Sequence, residues 1–109
     1  MQMRPVEEQK LFLQQIKKTV SELDPKAKII LYGSRARGDA RPDSDWDILI
    51  LTDDNSPEKN ETLFSYPLYH LELETNQVIS TSIHTLNEWG QKYGFTPFYT
   101  NIQREGIVL

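Results

Sequence analysis

The chain reads as one α/β domain of the α+β type, a small mixed β-sheet covered by helices. Three observations predict it. The 109 residues suit one domain with one hydrophobic core. Apolar residues spaced for a helix face give way to short β-branched runs, and such segments alternate along the chain. No internal repeat, low-complexity tract or linker divides the sequence, so residues 1–109 are expected to form a single unit.

From Pro5 to Leu23, Phe12, Ile16, Val20 and Leu23 recur at steps of four, four and three, which lines one face of a helix. Asp24 and Pro25 end it, and Lys28–Tyr32 (KIILY) has the length and composition of a buried strand. GSRARGDARPDSD has no apolar period and reads as a loop, after which WDILILT forms the second strand. DDNSPE is turn chemistry, with Pro57 suited to a first helical turn. The stretch on to Glu74 reads as a broken helix because Pro67 opposes a single straight one, and a hairpin of YHLELET with QVISTSI also fits the alternation. Val78–Ile83 reads as the third strand, with Ile79 and Ile83 on one face and Val78, Ser80, Ser82 and His84 on the other. Thr85 and Glu88 have the form of a capping box opening a short helix through Trp89 that Gly94 closes, and Pro97–Arg104 forms another.

Composition narrows the function. A net charge of −4 opposes broad nucleic-acid binding, which needs a basic surface that displaces counterions. The basic residues Arg35, Arg37 and Arg41 sit instead in one loop among Asp39, Asp43, Asp45 and Asp47, a pattern that suits a small, multiply charged ligand. Cysteine is absent, which removes disulfides and thiolate metal sites and is compatible with a reducing compartment. No apolar run approaches a membrane span and the opening MQMRPVEEQK lacks a signal-peptide core, so no membrane association and a cytoplasmic location are expected.

Chemistry concentrates between residues 33 and 50. Residues two apart on a strand point the same way, so Asp45 and Asp47 of SDWDILI present carboxylates from one face, about 6 to 7 Å apart along the backbone. Two such charges repel unless a cation joins them, and Mg²⁺ prefers a few carboxylates completed by water and phosphate oxygens. Gly33, directly after the first strand, lets the backbone turn and approach a ligand, and Ser34 adds a hydroxyl. Arg35 and Arg37 can supply guanidinium forks to phosphate, with Arg41 further off and Gly38 allowing the loop to bend back. Each part alone has a bland reading as turn, strand end or solvated surface, but their order, strand, Gly33-Ser34, a loop of ten residues, then Asp45-Trp46-Asp47, is a multi-part pattern in its proper context.

GSRARGDARPDSDWDILI resembles the signature of the DNA polymerase beta-like nucleotidyltransferase superfamily, and the chain looks like its minimal bacterial and archaeal members. That resemblance implies the polymerase beta-like fold. It also implies that Gly33 and Ser34 bind a nucleoside triphosphate, taken as ATP, while Asp45 and Asp47 hold two catalytic metal ions, taken as Mg²⁺; Arg35 and Arg37 join the expected nucleotide-binding set through their guanidinium forks. A nucleoside monophosphate, AMP in this case, then passes to an acceptor hydroxyl with release of pyrophosphate. Minimal members are often paired with HEPN-domain proteins as antitoxin and toxin, which implies a protein partner as acceptor.

The family usually adds a third carboxylate from a later strand, whereas QVISTSI offers Ser80 or Ser82, and a hydroxyl is a poor base and weak ligand. Glu72 or Glu74 could replace it only if the hairpin alternative held. An alternative function therefore stands beside the enzyme: a weak or inactive binding module, or antitoxin, acting through its partner. His70 and His84 lack metal-ligand spacing, and Trp46, facing away from the aspartates, is expected to pack under a helix. Trp89, Tyr93, Phe95, Phe98 and Tyr99 could close the core or form a partner surface.

Overall fold

The computed structural model describes residues 5–53 and 57–109. Five helices and four strands run in the order α1 (Pro5–Leu23), β1 (Lys28–Tyr32), α2 (Ser34–Arg37), β2 (Trp46–Thr52), α3 (Pro57–Thr75), β3 (Ile79–Thr85), α4 (Leu86–Lys92), α5 (Pro97–Glu105) and β4 (Ile107–Val108). They form a mixed sheet in the order β3-β2-β1-β4. β1 pairs antiparallel with β2 and β4, while β2 and β3 are parallel, which requires the crossover that α3 provides.

Both sheet faces are covered, which is why β2 is apolar along nearly its whole length. Ile29, Leu31, Ile48 and Ile50 face α1 and α3, where Phe12, Ile16, Val20, Phe64, Leu68 and Leu71 complete the main core. Ile30, Leu49 and Leu51 face α4 and α5 and pack with Trp89 and Ile102. Tyr93, Phe98 and Tyr99 join this second core, whereas Phe95 is 98% exposed, so the C-terminal aromatic group closes the sheet except at Phe95.

Two expectations are corrected. α3 runs unbroken through Pro67, and YHLELET is helical, which removes the hairpin. A mid-helix proline costs about 3 kcal/mol. Phe64, Leu68 and Leu71 are buried around it, each contributing about 1.5–3 kcal/mol, so tertiary packing outweighs the lost bond. Within the predicted loop, residues Ser34–Arg37 form one helical turn bounded by Gly33 and by Gly38, the latter in the left-handed region at φ 84°. A single turn is too short to show a period. The turn predicted around residues 54–56 lies outside the described residues.

The remaining boundaries agree within a residue or two. β3 begins at Ile79 and extends to Thr85. Thr85 caps α4, its Oγ1 accepting the Glu88 N–H at 3.1 Å, and Thr96 caps α5 by accepting the Tyr99 N–H at 3.2 Å. β4 had no sequence signal, being two residues long and exposed on both.

Candidate active site

The site forms at one end of the sheet, on the face that carries α4 and α5. Register fixes its floor. Tyr32 is paired with Asp47 across β1 and β2, and Asp47 is aligned with Ser80 on β3, so all three share one face. Tyr32 is also hydrogen-bonded to Ser82. The position beside Asp47 on the neighbouring strand is therefore held by a serine, as the alternation implied.

Gly33 follows Tyr32 with φ +74°, a conformation that side chains rarely adopt, and a Cβ there would overlap the Asp47 carboxylate. The glycine thus lets the backbone pass directly against Asp47. Its carbonyl accepts the N–H groups of Ala36 and Arg37 at 3.0 Å, which starts α2 and returns Arg37 toward the carboxylates. Ser34 is the first residue of that turn.

The electrostatics are those of a site short of positive charge. Burial pushes the Asp47 carboxyl above the usual carboxylate range, Asp45 and Glu105 add to the shift, and Arg37 opposes it. Tyr32 is raised chiefly by burial, with Asp47 contributing. Two neighbouring carboxylates, one of them penalised when ionised, suit a bound divalent cation, which would remove the repulsion. Among the described residues no group of three or more His, Asp or Glu side chains is placed to hold a metal ion. A carboxylate pair fits a cation that takes its other ligands from phosphate and water.

The expected phosphate contacts divide. Gly33 and Arg37 lie together beside Asp47. Arg35, expected with them, is instead turned to the opposite face. Its guanidinium stacks on Trp46 at 4.4 Å, and its Nη2 donates to the carbonyls of Ser44 at 2.9 Å and Pro42 at 3.2 Å, tying the loop to the core. Arg35 Nε is buried without a hydrogen-bond partner. Trp46 is buried against Phe12 and donates Nε1–H to Gln77 at 2.9 Å, so it packs as expected. A cavity of about 390 Å³ opens there, lined by Phe12, Arg35, Arg41 and Trp46, on the far side of the sheet from Asp47.

Glu72 accepts the Ile79 N–H at 2.9 Å and sits on the α3 side, so it anchors β3 and lies away from Asp47; Glu74 is exposed on α3. His84 packs in a three-ring cluster with Trp89 and Tyr93, and His70 packs against Tyr66. The residue sequence reasoning missed is Glu105. Its Oε1 accepts the Gly33 N–H at 3.2 Å, and both its oxygens accept from Arg37 Nη1 at 3.2 and 3.3 Å. The one available signal was an acid at a helix C-terminus, where the macrodipole favours cations.

A small mixed sheet presenting two aspartates beside a glycine turn defines the polymerase beta-like nucleotidyltransferase fold. The family model for the nucleotidyltransferase domain matches residues 13–100, and the chain belongs to that family, whose members transfer nucleotidyl groups. No curated protein matches the chain. No helix among the described residues is long and apolar enough to cross a membrane.

Proposed function

We propose that this protein is a cytoplasmic, Mg²⁺-dependent nucleotidyltransferase that moves AMP from ATP to a hydroxyl on a partner protein of the HEPN type. The observation that carries the reading is the packing of Gly33 against Asp47, which puts a backbone N–H and the Arg37 fork on one side of a carboxylate pair. In this reading Gly33, Ser34 and Arg37 bind the triphosphate. Asp45 and Asp47 hold Mg²⁺, which supplies charge neutralisation for the entering and leaving oxygens. The acceptor hydroxyl gives its proton to solvent, and its oxygen forms a bond to the α-phosphorus as the bond from that phosphorus to the pyrophosphate oxygen breaks and pyrophosphate leaves. Gly33 and Arg37 orient the β- and γ-phosphates as the leaving group, and Tyr32 and Ser82 form the floor beneath them. Arg35 acts in this scheme by fixing the loop through Trp46.

One observation favours a second reading, a nucleotide-binding module or antitoxin that acts by complexing its partner without turnover. Ser80 stands beside Asp47 where a third carboxylate would serve as base. The test is incubation with Mg²⁺ and α-labelled ATP, with and without host lysate, comparing wild type with Asp45→Asn/Asp47→Asn. Label transferred by the wild type alone supports the enzyme. Mg²⁺-dependent ATP binding without any transfer sinks the enzyme and leaves the binding module.

A further inference from the structure

We infer that Glu105 is a specificity-determining residue of the phosphate cradle: its carboxylate stands where a phosphate oxygen would, so that only a polyphosphate displaces it. The inference rests on the nucleotidyltransferase reading above.

The contacts of Glu105 are those an anion would make. One oxygen takes the Gly33 N–H at 3.2 Å, and the pair takes Arg37 Nη1 at 3.2 and 3.3 Å. A backbone N–H and a guanidinium converging on two oxygens are the donors that recognise phosphate. The position is otherwise adverse, because a carboxylate at the end of α5 faces the negative pole of its own helix. Glu105 also bears on Asp47 as an unfavourable negative charge. A side chain 17% exposed is held there by the same donors the substrate needs.

The backbone around Glu105 is fixed from both sides. Gly106 donates to Ile102 O at 2.8 Å, and a Cβ on Gly106 would come within 2.6 Å of that oxygen and 2.8 Å of Ile30 Cγ2. Beyond it, Leu31 pairs with Ile107 and Ile30 with Val108, and Leu109 N–H reaches Ile29 O at 2.9 Å. Release of the cradle is therefore a rotation of one side chain, with α5 and β4 staying in place. Arg37 keeps Asp39 as a second partner, Nε to Oδ2 at 3.2 Å, and so stays oriented when Glu105 leaves. An incoming anion must surpass a carboxylate already in position. A triphosphate does so with several charged oxygens, whereas a single small anion offers no more than Glu105 does.

The test is calorimetric titration of wild type and Glu105→Gln with sodium tripolyphosphate in the presence of magnesium, and separately with inorganic phosphate. Glutamine keeps the shape and an oxygen for Gly33 but removes the charge. The variant is expected to bind tripolyphosphate about fivefold more tightly, the scale of one partly exposed ion pair. Its gain for inorganic phosphate should be larger, so that the preference for tripolyphosphate narrows; equal gains would overturn the specificity role. A purely structural Glu105 would give weaker binding on substitution, so unchanged or weaker affinity overturns the inference. Binding by neither protein overturns the nucleotidyltransferase reading along with it. The wild type gives a second readout by amide NMR: tripolyphosphate should shift the Gly33 resonance and leave Ile107 and Val108 in place. Loss of the β4 resonances would overturn the side-chain rotation.

Discussion

Gly33 lies against the carboxylate of Asp47 so closely that a Cβ at position 33 would overlap Oδ2. The strand end and the acidic pair are thus one unit, and the positive φ of Gly33 adds to the constraint. Gly33→Ala should lose about 1–3 kcal/mol of stability from backbone strain, and more from the displaced carboxylate. Urea unfolding should show the lower midpoint, and calorimetry the loss of Mg²⁺-ATP binding. A variant that binds ATP like the wild type would refute the close packing.

Asp47→Asn should separate stability from function. Burial, then Asp45, holds the Asp47 carboxyl above its ordinary value of 3.8. The folded state therefore binds this proton more tightly than the unfolded one, and stability falls as pH rises from that value through the folded pKa. Without ligands, Asp47→Asn should melt higher than wild type at neutral pH, with the difference shrinking toward acid. Mg²⁺-ATP at tenfold its Kd should stabilise the wild type by about 1.4 kcal/mol and Asp45→Asn/Asp47→Asn not at all. Equal ligand stabilisation in both would remove the carboxylates from the site.

Arg35 and Arg37 are neighbours in sequence with opposite tasks. Arg35→Ala removes two charge-assisted hydrogen bonds and a stack on Trp46, and should lower stability by about 2 kcal/mol. Arg37→Ala should leave the urea midpoint nearly unchanged and weaken tripolyphosphate binding. Reversal of the two phenotypes would show that the loop holds its arginines the other way round.

His84 gives the fold an acid sensitivity of its own. Burial lowers its pKa below 6.5, with Lys92 adding to the shift and Glu88 opposing it. The unfolded state takes up this proton first, so stability is lost as pH falls from about 6.5 through the folded pKa. His84→Phe keeps a ring beside Tyr93, 4.5 Å away in the wild type, and should flatten the urea midpoint between roughly pH 7.5 and 5.5. A slope equal to wild type would assign the sensitivity elsewhere.

The parts of the molecule legible in the sequence are those whose signal is local. The period of Phe12, Ile16 and Val20, the β-branched run of β1, the Thr85–Glu88 cap and the alternation that puts Ser80 and Ser82 on one face of β3 each lie within a few residues, whereas the register that selects Ser80 beside Asp47 does not. Pro67 misled because a local penalty was set against burial of Phe64 and Leu68, which only the tertiary fold reveals. Arg35 and Arg37 look alike in sequence, and only the one-turn α2 sends the first to Trp46 and the second to Glu105. Glu105 offered only the weak signal of an acid at a helix C-terminus, because its partners Gly33 and Arg37 lie far back in the chain.

Gly33 and Glu105 are 72 positions apart. During synthesis the chain passes through every length at which Gly33, Arg37, Asp45 and Asp47 exist and Glu105 does not. Throughout that interval the Gly33 N–H lacks its carboxylate, Arg37 has Asp39 alone, and β1 lacks its outer neighbour. The screening of Gly33 and Arg37 by Glu105 is therefore a contact that local folding of β1 and α2 cannot make, and it forms only when the last turn of α5 docks beside them.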